Sequence, residues 1–403
     1  MKLAIIKERK NPPDRRVVFS PDACVNLLAQ FPDLEIKIES SDIRVFSDDA
    51  YRAKGLTVTD NVSDCDVMLG VKEVPIDSLF ENKAYFFFSH TFKKQSYNRN
   101  LLRAILDKNI EMYDHEAITD VKNRRTVAFG RYAGIVGAYN GFRTYGLKYD
   151  LFNLTKAEHS KNQAELILNL KNIKSLLPNI KIALTGKGKV SNGAKEMLDG
   201  MGLLEVSAAD FTNSTFNESV YTQLDVLDYN IRKDKKVIDK YDFYNNPTDY
   251  DSDFMRFAKV ADMYISGHFF GTGSPFIFTR QDIKSSDFNI RVVADVSCDI
   301  DGPVACTIKP STIADPVYGY CPKTESEIDF KDPNAIAVMA VDNLPCELPN
   351  DASIGFGIMF AKHVIPAFFN NDANGVLERA RMTKDGSLTN RFDYLQDYVA
   401  GIE

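Results

Sequence analysis

The 403-residue sequence predicts an α/β fold of two doubly wound parallel-sheet domains with a cleft between them. Short apolar runs alternate with helical stretches through the first 130 residues, and strands alternating with helices imply a parallel sheet covered on both faces. A Gly- and Ala-rich helical stretch at 127–148 interrupts this rhythm, and the alternation resumes at 181–184. The resumed run leads directly into a glycine-rich turn, a strand–turn–helix setting that suits a phosphate.

Taken in order, residues 3–6 form the first strand, because an apolar run of four is too short for a signal peptide. Residues 21–30 read as a helix and 34–38 alternate as a strand. Segments 66–71 (DVMLGV) and 84–89 (AYFFFS) are buried strands, 97–108 a helix and 110–113 a strand. In 127–148, Gly130, Ala133, Gly134 and Gly137 allow close helix packing, and the stretch reads as an interdomain helix. A polar stretch, 154–165, follows. The second α/β unit has strands at 181–184, near 203–206, at 263–266, 292–296 and 336–341, with 210–260 as a polar, Tyr- and Asp-rich elaboration. The last 50 residues read as helices returning to the first domain. The organisation expected is therefore 1–135 plus about 345–403 as a substrate and catalytic domain, and about 150–340 as a nucleotide-binding domain.

Composition narrows the function classes. Hydrophobic residues at 44% and charged residues at 26% suffice for a core. A net charge of −7 gives no nucleic-acid footprint, and the basic run 232–236 (RKDKK) reads as solvated surface. No stretch approaches the roughly 18 apolar residues of a membrane span. The six cysteines form no CxxC pair and stand at no metal-ligand spacing with histidine, so reduced thiols in a cytoplasmic enzyme without a metal are expected.

The glycine-rich turn contains Gly186, Gly188 and, at the start of the next helix, Lys189, Val190 and Gly193. Glycines there permit a tight turn and let backbone approach a pyrophosphate, while the helix N-terminus offers N–H groups and partial positive charge. The spacing GxGxxxxG is two residues longer than the Rossmann GxGxxG, so the domain is read as Rossmann-like. An acid at the end of the following strand would hold a ribose hydroxyl and select NAD; Ser207 falls there, with Asp210 after it, leaving NAD or NADP open.

Ionisable residues gather at the carboxyl ends of the first domain's strands, where open parallel sheets bind ligands. Strand 3–6 runs into Lys7 and Glu8, then Arg15 and Arg16; 66–71 into Lys72 and Glu73; 84–89 into His90; 110–113 into Asp114 and Glu116. A lysine with a histidine suits proton transfer to an imine and its amine precursor. Arg15 or Arg16 can pair with a substrate carboxylate. His115, His159, His268 and His363 lack such a setting and read as core or surface.

These stretches resemble the saccharopine dehydrogenase (lysine-forming) and lysine–ketoglutarate reductase family, which is related to alanine dehydrogenase. The matching segments are DRRVVFSP (14–21), GVKEVP (70–75), FFSHTFKKQ (87–95), RRTVAFGRYAGIVG (124–137), TGKGKVSNGA (185–194), DVSCDIDG (295–302) and AVDNLPCELPNDAS (340–353), in family order. The similarity looks closest to the reductase half of the bifunctional lysine-degrading enzyme. The resemblance implies Lys72 and His90 as the proton-transfer pair. It implies Arg16, Glu73, Glu116 and Arg125 at the substrate, and Asp295 and Asn343 near a nicotinamide. It implies amino-acid and 2-oxo-acid substrates, with saccharopine interconverted with lysine and 2-oxoglutarate through an imine and hydride transfer. The chain departs from the reductase half in having Glu73 after the lysine and His268-Phe269 before TRQD, and it has no tryptophan. An alanine dehydrogenase-like enzyme and a non-catalytic NAD(P)-binding sensor are the alternatives, and a homo-oligomer stays open.

Overall fold

The computed structural model describes residues 1–236 and 239–402. They form two compact units, Met1–Phe129 with Pro349–Glu403, and Gly130–Leu348.

The first unit is built on six parallel strands: β1 (Lys2–Ile5), β2 (Glu35–Glu39), β3 (Thr57–Thr59), β4 (Val67–Leu69), β5 (Ala84–Phe87) and β6 (Glu111–Asp114). Their order is β3-β2-β1-β4-β5-β6. The central strands are runs of Val, Met, Leu and Phe without alternation, because both faces of the sheet are covered. Helix Pro21–Gln30 starts where Ser20 Oγ accepts the Ala23 N–H and proline occupies the first turn. Helix Pro349–His363 lies directly on the chain after β1: Ser353 Oγ accepts the Val17 N–H at 3.0 Å, and a Cβ on Gly357 would stand 2.7 Å from the Val18 carbonyl oxygen.

Two expectations change here. The helix expected over 97–108 spans Arg99–Asp107, because Ser96–Asn98 first makes a 3-10 turn. The last 50 residues are not helical throughout: Thr383–Lys384 and Ser387–Leu388 pair antiparallel, turned by Asp385 and Gly386, both at positive φ.

The second unit carries an eight-stranded sheet: β7 (Lys181–Thr185), β8 (Leu204–Glu205), β9 (Val220–Leu224), β12 (Met263–Ser266), β13 (Val292–Asp295), β14 (Val317–Cys321), β15 (Ser326–Ile328) and β16 (Ile336–Met339), with β10 (Asn230–Arg232) and β11 (Tyr250–Ser252) as a separate antiparallel pair. The order is β15-β14-β16-β13-β12-β7-β9-β8; β14 and β15 join antiparallel and the rest are parallel. The segment 210–260 is therefore not elaboration throughout. It contains β9, whose five residues are all buried, whereas the two residues of β8 are exposed. In the basic run, Arg232 pairs with Asp234, Asp242 and Asp249 from within β10; residues 233–236 are exposed as expected.

Helix Gly130–Lys148 belongs to this second unit and begins three residues after the expected start. It meets helix Lys189–Met201 backbone to backbone. A Cβ on Gly134 would fall 1.8 Å from the Val190 carbonyl oxygen, and one on Gly193 2.0 Å from that of Arg131. Cys24, Cys65 and Cys306 are buried, and Cys298, Cys321 and Cys346 are half-buried. Among the described residues no helix is long and apolar enough to cross a membrane, and no three His, Cys, Asp or Glu side chains are arranged to hold a metal.

Candidate active site

In the first unit, β4 and β5 lie side by side, and the ladder continues past both: Gly70 N–H donates to Phe86 O and Phe88 N–H to Val71 O. Lys72 and His90 thus leave neighbouring strands at the same end. Glu8, at the end of β1, accepts the N–H groups of Val71 and Lys72 at 2.7 and 2.8 Å. Burial, and then the charge of Asp14, push the Glu8 carboxyl up to about 8 against those two bonds.

His90 has φ 55°, in the left-handed region. That is uncommon for a residue with a side chain and marks a held conformation. Its Nδ1 meets Glu73 Oε1 at 2.7 Å. Glu73 also takes the Lys10 ammonium at 2.9 Å and the Asn98 amide at 3.3 Å, and Asn98 reaches back to the Ser89 carbonyl at 2.8 Å. Burial alone would raise the Glu73 carboxyl; hydrogen bonds from His90 and Lys10 outweigh it and bring it to about 2. The ionised Glu73 fixes the imidazole's orientation, and its observed partners are His90, Lys10 and Asn98. Asp114, fully buried, accepts the Ser89 N–H and Oγ–H and the Glu116 N–H, pinning the loops after β5 and β6.

The expected carboxylate binders are partly engaged. Arg16 Nε and Nη2 grip both oxygens of Asp14, at 3.0 and 2.6 Å, and its guanidinium lies 4.3 Å from the centre of the Phe129 ring. Glu116 is held between Lys93 and Arg125, at 3.0 and 3.3 Å. His115 is core, as expected: its Nε2 faces the Gly70 carbonyl at 2.8 Å, and burial drives it to about 3. A cavity of about 290 Å³ elsewhere in this unit, between Thr119–Thr126 and Lys362–Arg379, includes none of the strand-end residues.

In the second unit, β7 ends in Gly186 at φ 97°, where a Cβ would meet the Gly267 carbonyl at 2.7 Å. Gly188 caps helix Lys189–Met201 without a side-chain hydrogen bond, and a Cβ there would meet nothing within 4 Å. The N-cap of that 13-residue helix therefore leaves room beside its glycine and takes no side-chain cap, a fit for a pyrophosphate. Val190 turns its side chain toward Gly130, and Gly193 serves helix packing. Asp295 is fully buried, and its two oxygens accept from Ser266, Ser297 and Thr307. It ties β12, β13 and the following loop together. Asn343 precedes the 3-10 turn Leu344–Glu347.

Ser207 is not at the end of the strand beside the glycine turn. Its Oγ accepts the Asp210 N–H as the cap of helix Ala208–Asn213, beyond the edge strand β8. The strand adjoining β7 is β9, in register Thr185 to Leu224, with Gly186 N–H donating to Leu224 O at 2.8 Å. His268, expected as core or surface, packs at the end of β7. Its Nδ1 lies 2.9 Å from Thr185 Oγ1, and its buried Nε2 has no hydrogen-bond partner among the described residues. Burial brings this ring to about 4, against the charge of Asp295. Its position directly after β12, the strand on the other side of β7, was the available signal.

Comparison with known proteins follows the same division. Residues 4–136 match the alanine dehydrogenase/PNT N-terminal domain. The chain is 26% identical over 438 residues to the alpha-aminoadipic semialdehyde synthase of Arabidopsis thaliana, covering 98% of this chain and 41% of that protein. It is 26% identical over 446 residues to the mitochondrial enzyme of that name from Mus musculus, covering 98% and 47%. It therefore spans less than half the length of these relatives. With the saccharopine dehydrogenase [NAD(+), L-lysine-forming] of Yarrowia lipolytica it shares 24% identity over 371 residues, 88% of this chain and 89% of that one. Among solved structures, an L-alanine dehydrogenase covers the whole chain with a TM-score of 0.68 at 15% identity. The chain is similar to saccharopine dehydrogenases and alpha-aminoadipic semialdehyde synthases, and its fold is the two-domain Rossmann-like fold of alanine dehydrogenase.

Proposed function

We propose that the protein is an NAD(P)-dependent oxidoreductase acting on a CH–NH bond, of the saccharopine dehydrogenase (L-lysine-forming) type. It would interconvert saccharopine with lysine and 2-oxoglutarate. The observation that carries this reading is the pair Lys72 and His90, set at the same end of adjacent strands, with Glu73 bonded to His90 Nδ1. An amine must lose protons to condense with a 2-oxo acid, and the carbinolamine must gain one to lose water. A lysine amine and an imidazole are groups that can supply and take these protons. Glu73 leaves His90 Nε2 as the nitrogen for the substrate. Arg16 and Arg125 are the cations for substrate carboxylates, the latter released from Glu116 or shared with it.

The residues that would hold the nucleotide are Gly186, Gly188, Lys189, Val190 and Gly193 at the turn, with Asp295 and Asn343 further along the unit. The nicotinamide, when bound, supplies and accepts the hydride. The test follows nucleotide oxidation with 2-oxoglutarate plus lysine, ornithine or ammonia, and with pyruvate plus ammonia. Turnover with 2-oxoglutarate and lysine is the expected result. Turnover only with pyruvate and ammonia would make it an alanine dehydrogenase, and nucleotide binding without any turnover would make it a sensor.

A further inference from the structure

The rearranged strand order of the second unit decides which residue can read the ribose of a bound nucleotide. In a nucleotide-binding α/β sheet, the strand beside the glycine-turn strand ends next to the adenosine ribose, and an acid there accepts from the 2′-hydroxyl. Chain order would give that place to β8, but β9 occupies it. The register Thr185 to Leu224 and the Gly186–Leu224 hydrogen bond put Asp225 immediately beside the glycine turn. We propose that Asp225 is the ribose-reading residue and that it makes this protein prefer NAD(H) to NADP(H).

The surroundings of Asp225 support that role. The corner is rigid: Asp228 accepts the Asp225 N–H at 2.7 Å, Asp228 N–H returns to the Asp225 carbonyl at 2.9 Å, and Asn230 holds the Val226 carbonyl at 2.9 Å. One carboxylate oxygen of Asp225 accepts the Val226 N–H at 2.8 Å. Among the described residues the other faces a loose contact with Lys240, at 3.6 Å, and the side chain is 37% exposed. A carboxylate so placed has an oxygen for a hydroxyl donor. A 2′-phosphate would bring about two negative charges against Asp225, with Asp228 in the same turn. Of the lysines at this corner, Lys187 reaches Gln223 on β9 and Lys240 faces Asp225 itself. Gln223 in turn bonds Ser191 and Asn192 of the first helical turn, tying β9 to the turn.

This inference rests on the reading of the second unit as a nicotinamide-nucleotide domain, and the experiment separates the two. The affinities of the full chain for NADH and NADPH are measured by titration of nicotinamide fluorescence, without substrate. The same titrations are made on Asp225→Ser, on Asp225→Asn (which keeps the shape and removes the charge), and on Ser207→Ala. NADH should bind at least about tenfold more tightly, the scale of one charge-assisted hydrogen bond. Both Asp225 variants should close most of that gap, and Ser207→Ala should leave it unchanged. NADPH binding as tightly as NADH would overturn the inference and leave the dehydrogenase reading standing. So would a preference that survives both Asp225 variants, or one that Ser207→Ala removes. Binding of neither nucleotide would overturn both.

Discussion

The two sheets start from the same plan and diverge at two places, the far edge, where β14 and β15 join the second sheet antiparallel, and the strand beside the first. In the first unit the second strand in the chain, β2, pairs with β1, giving the order β3-β2-β1-β4-β5-β6. In the second, β8 is displaced to the edge and β9 pairs with β7. The burial patterns explain the swap. Three of the five residues of β2 are buried, whereas the two residues of β8 are exposed and the five of β9 are buried. Apolar content, not order along the chain, decides which strand takes the central place. The chemistry at the strand ends diverges too. The first unit gathers lysine, histidine and carboxylates there; the second presents glycines, hydroxyls and an uncapped helix start.

The largest effect should come from the first unit's strand ends. Lys72→Met and His90→Gln should each lower turnover by about a hundredfold or more, the usual worth of a general acid–base group. Nucleotide affinity should stay unchanged, since the second unit carries the turn. Turnover near that of the parent chain, by steady-state kinetics, would dissolve the division of labour between the sheets.

Glycines in the second unit sharpen the contrast between packing and binding. Gly193→Ala places a methyl 2.0 Å from the Arg131 carbonyl, so unfolding in denaturant should show a loss of about 1–3 kcal/mol or more. Gly188→Ala meets nothing, so its stability should change by less than about 1 kcal/mol while nucleotide affinity falls.

Next in size is a pH effect within the first unit. Glu8 ionises near 8 in the fold against an ordinary 4.5. Between these values the unfolded chain has lost a proton that the fold keeps, so this residue lowers stability as pH rises from 4.5 to 8. Glu73, depressed to about 2, works oppositely: its contribution is complete above 4.5 and is lost as pH falls toward 2. Glu8→Gln should therefore flatten the decline in stability between pH 5 and 8, measured by denaturant midpoints. An unaltered slope would mean that Glu8 stays ionised. The smallest effect is that of Ser207→Ala, about 1 kcal/mol or less, from a lost cap on a short helix.

Most of the first unit was legible because its strands are apolar runs that end in charged residues. Lys72, Glu73 and His90 could be found from those endings, but that Glu73 holds His90 could not, since it depends on β4 and β5 being neighbours. Arg16 was legible as a carboxylate binder, but nothing in DRR says that Asp14 folds back onto its guanidinium. In the second unit the search for an acid about 20 residues past the turn stopped at Ser207. The segment VYTQLD, a buried strand ending in an acid, lay inside a stretch judged polar by its average composition. Averages over 50 residues hide a five-residue strand; its own burial pattern does not.

The return of the chain at 381–384 has a bearing on solubility. β6 is an outer strand, and its backbone would otherwise be open to any passing extended peptide. Met382 N–H donates to Met112 O at 2.7 Å, Thr383 Oγ both accepts the Met112 N–H and donates to Ile110 O, and Arg381 bridges to Tyr113. The segment thus serves as a selvedge, finishing the sheet so that it does not fray into edge-to-edge assembly with other molecules.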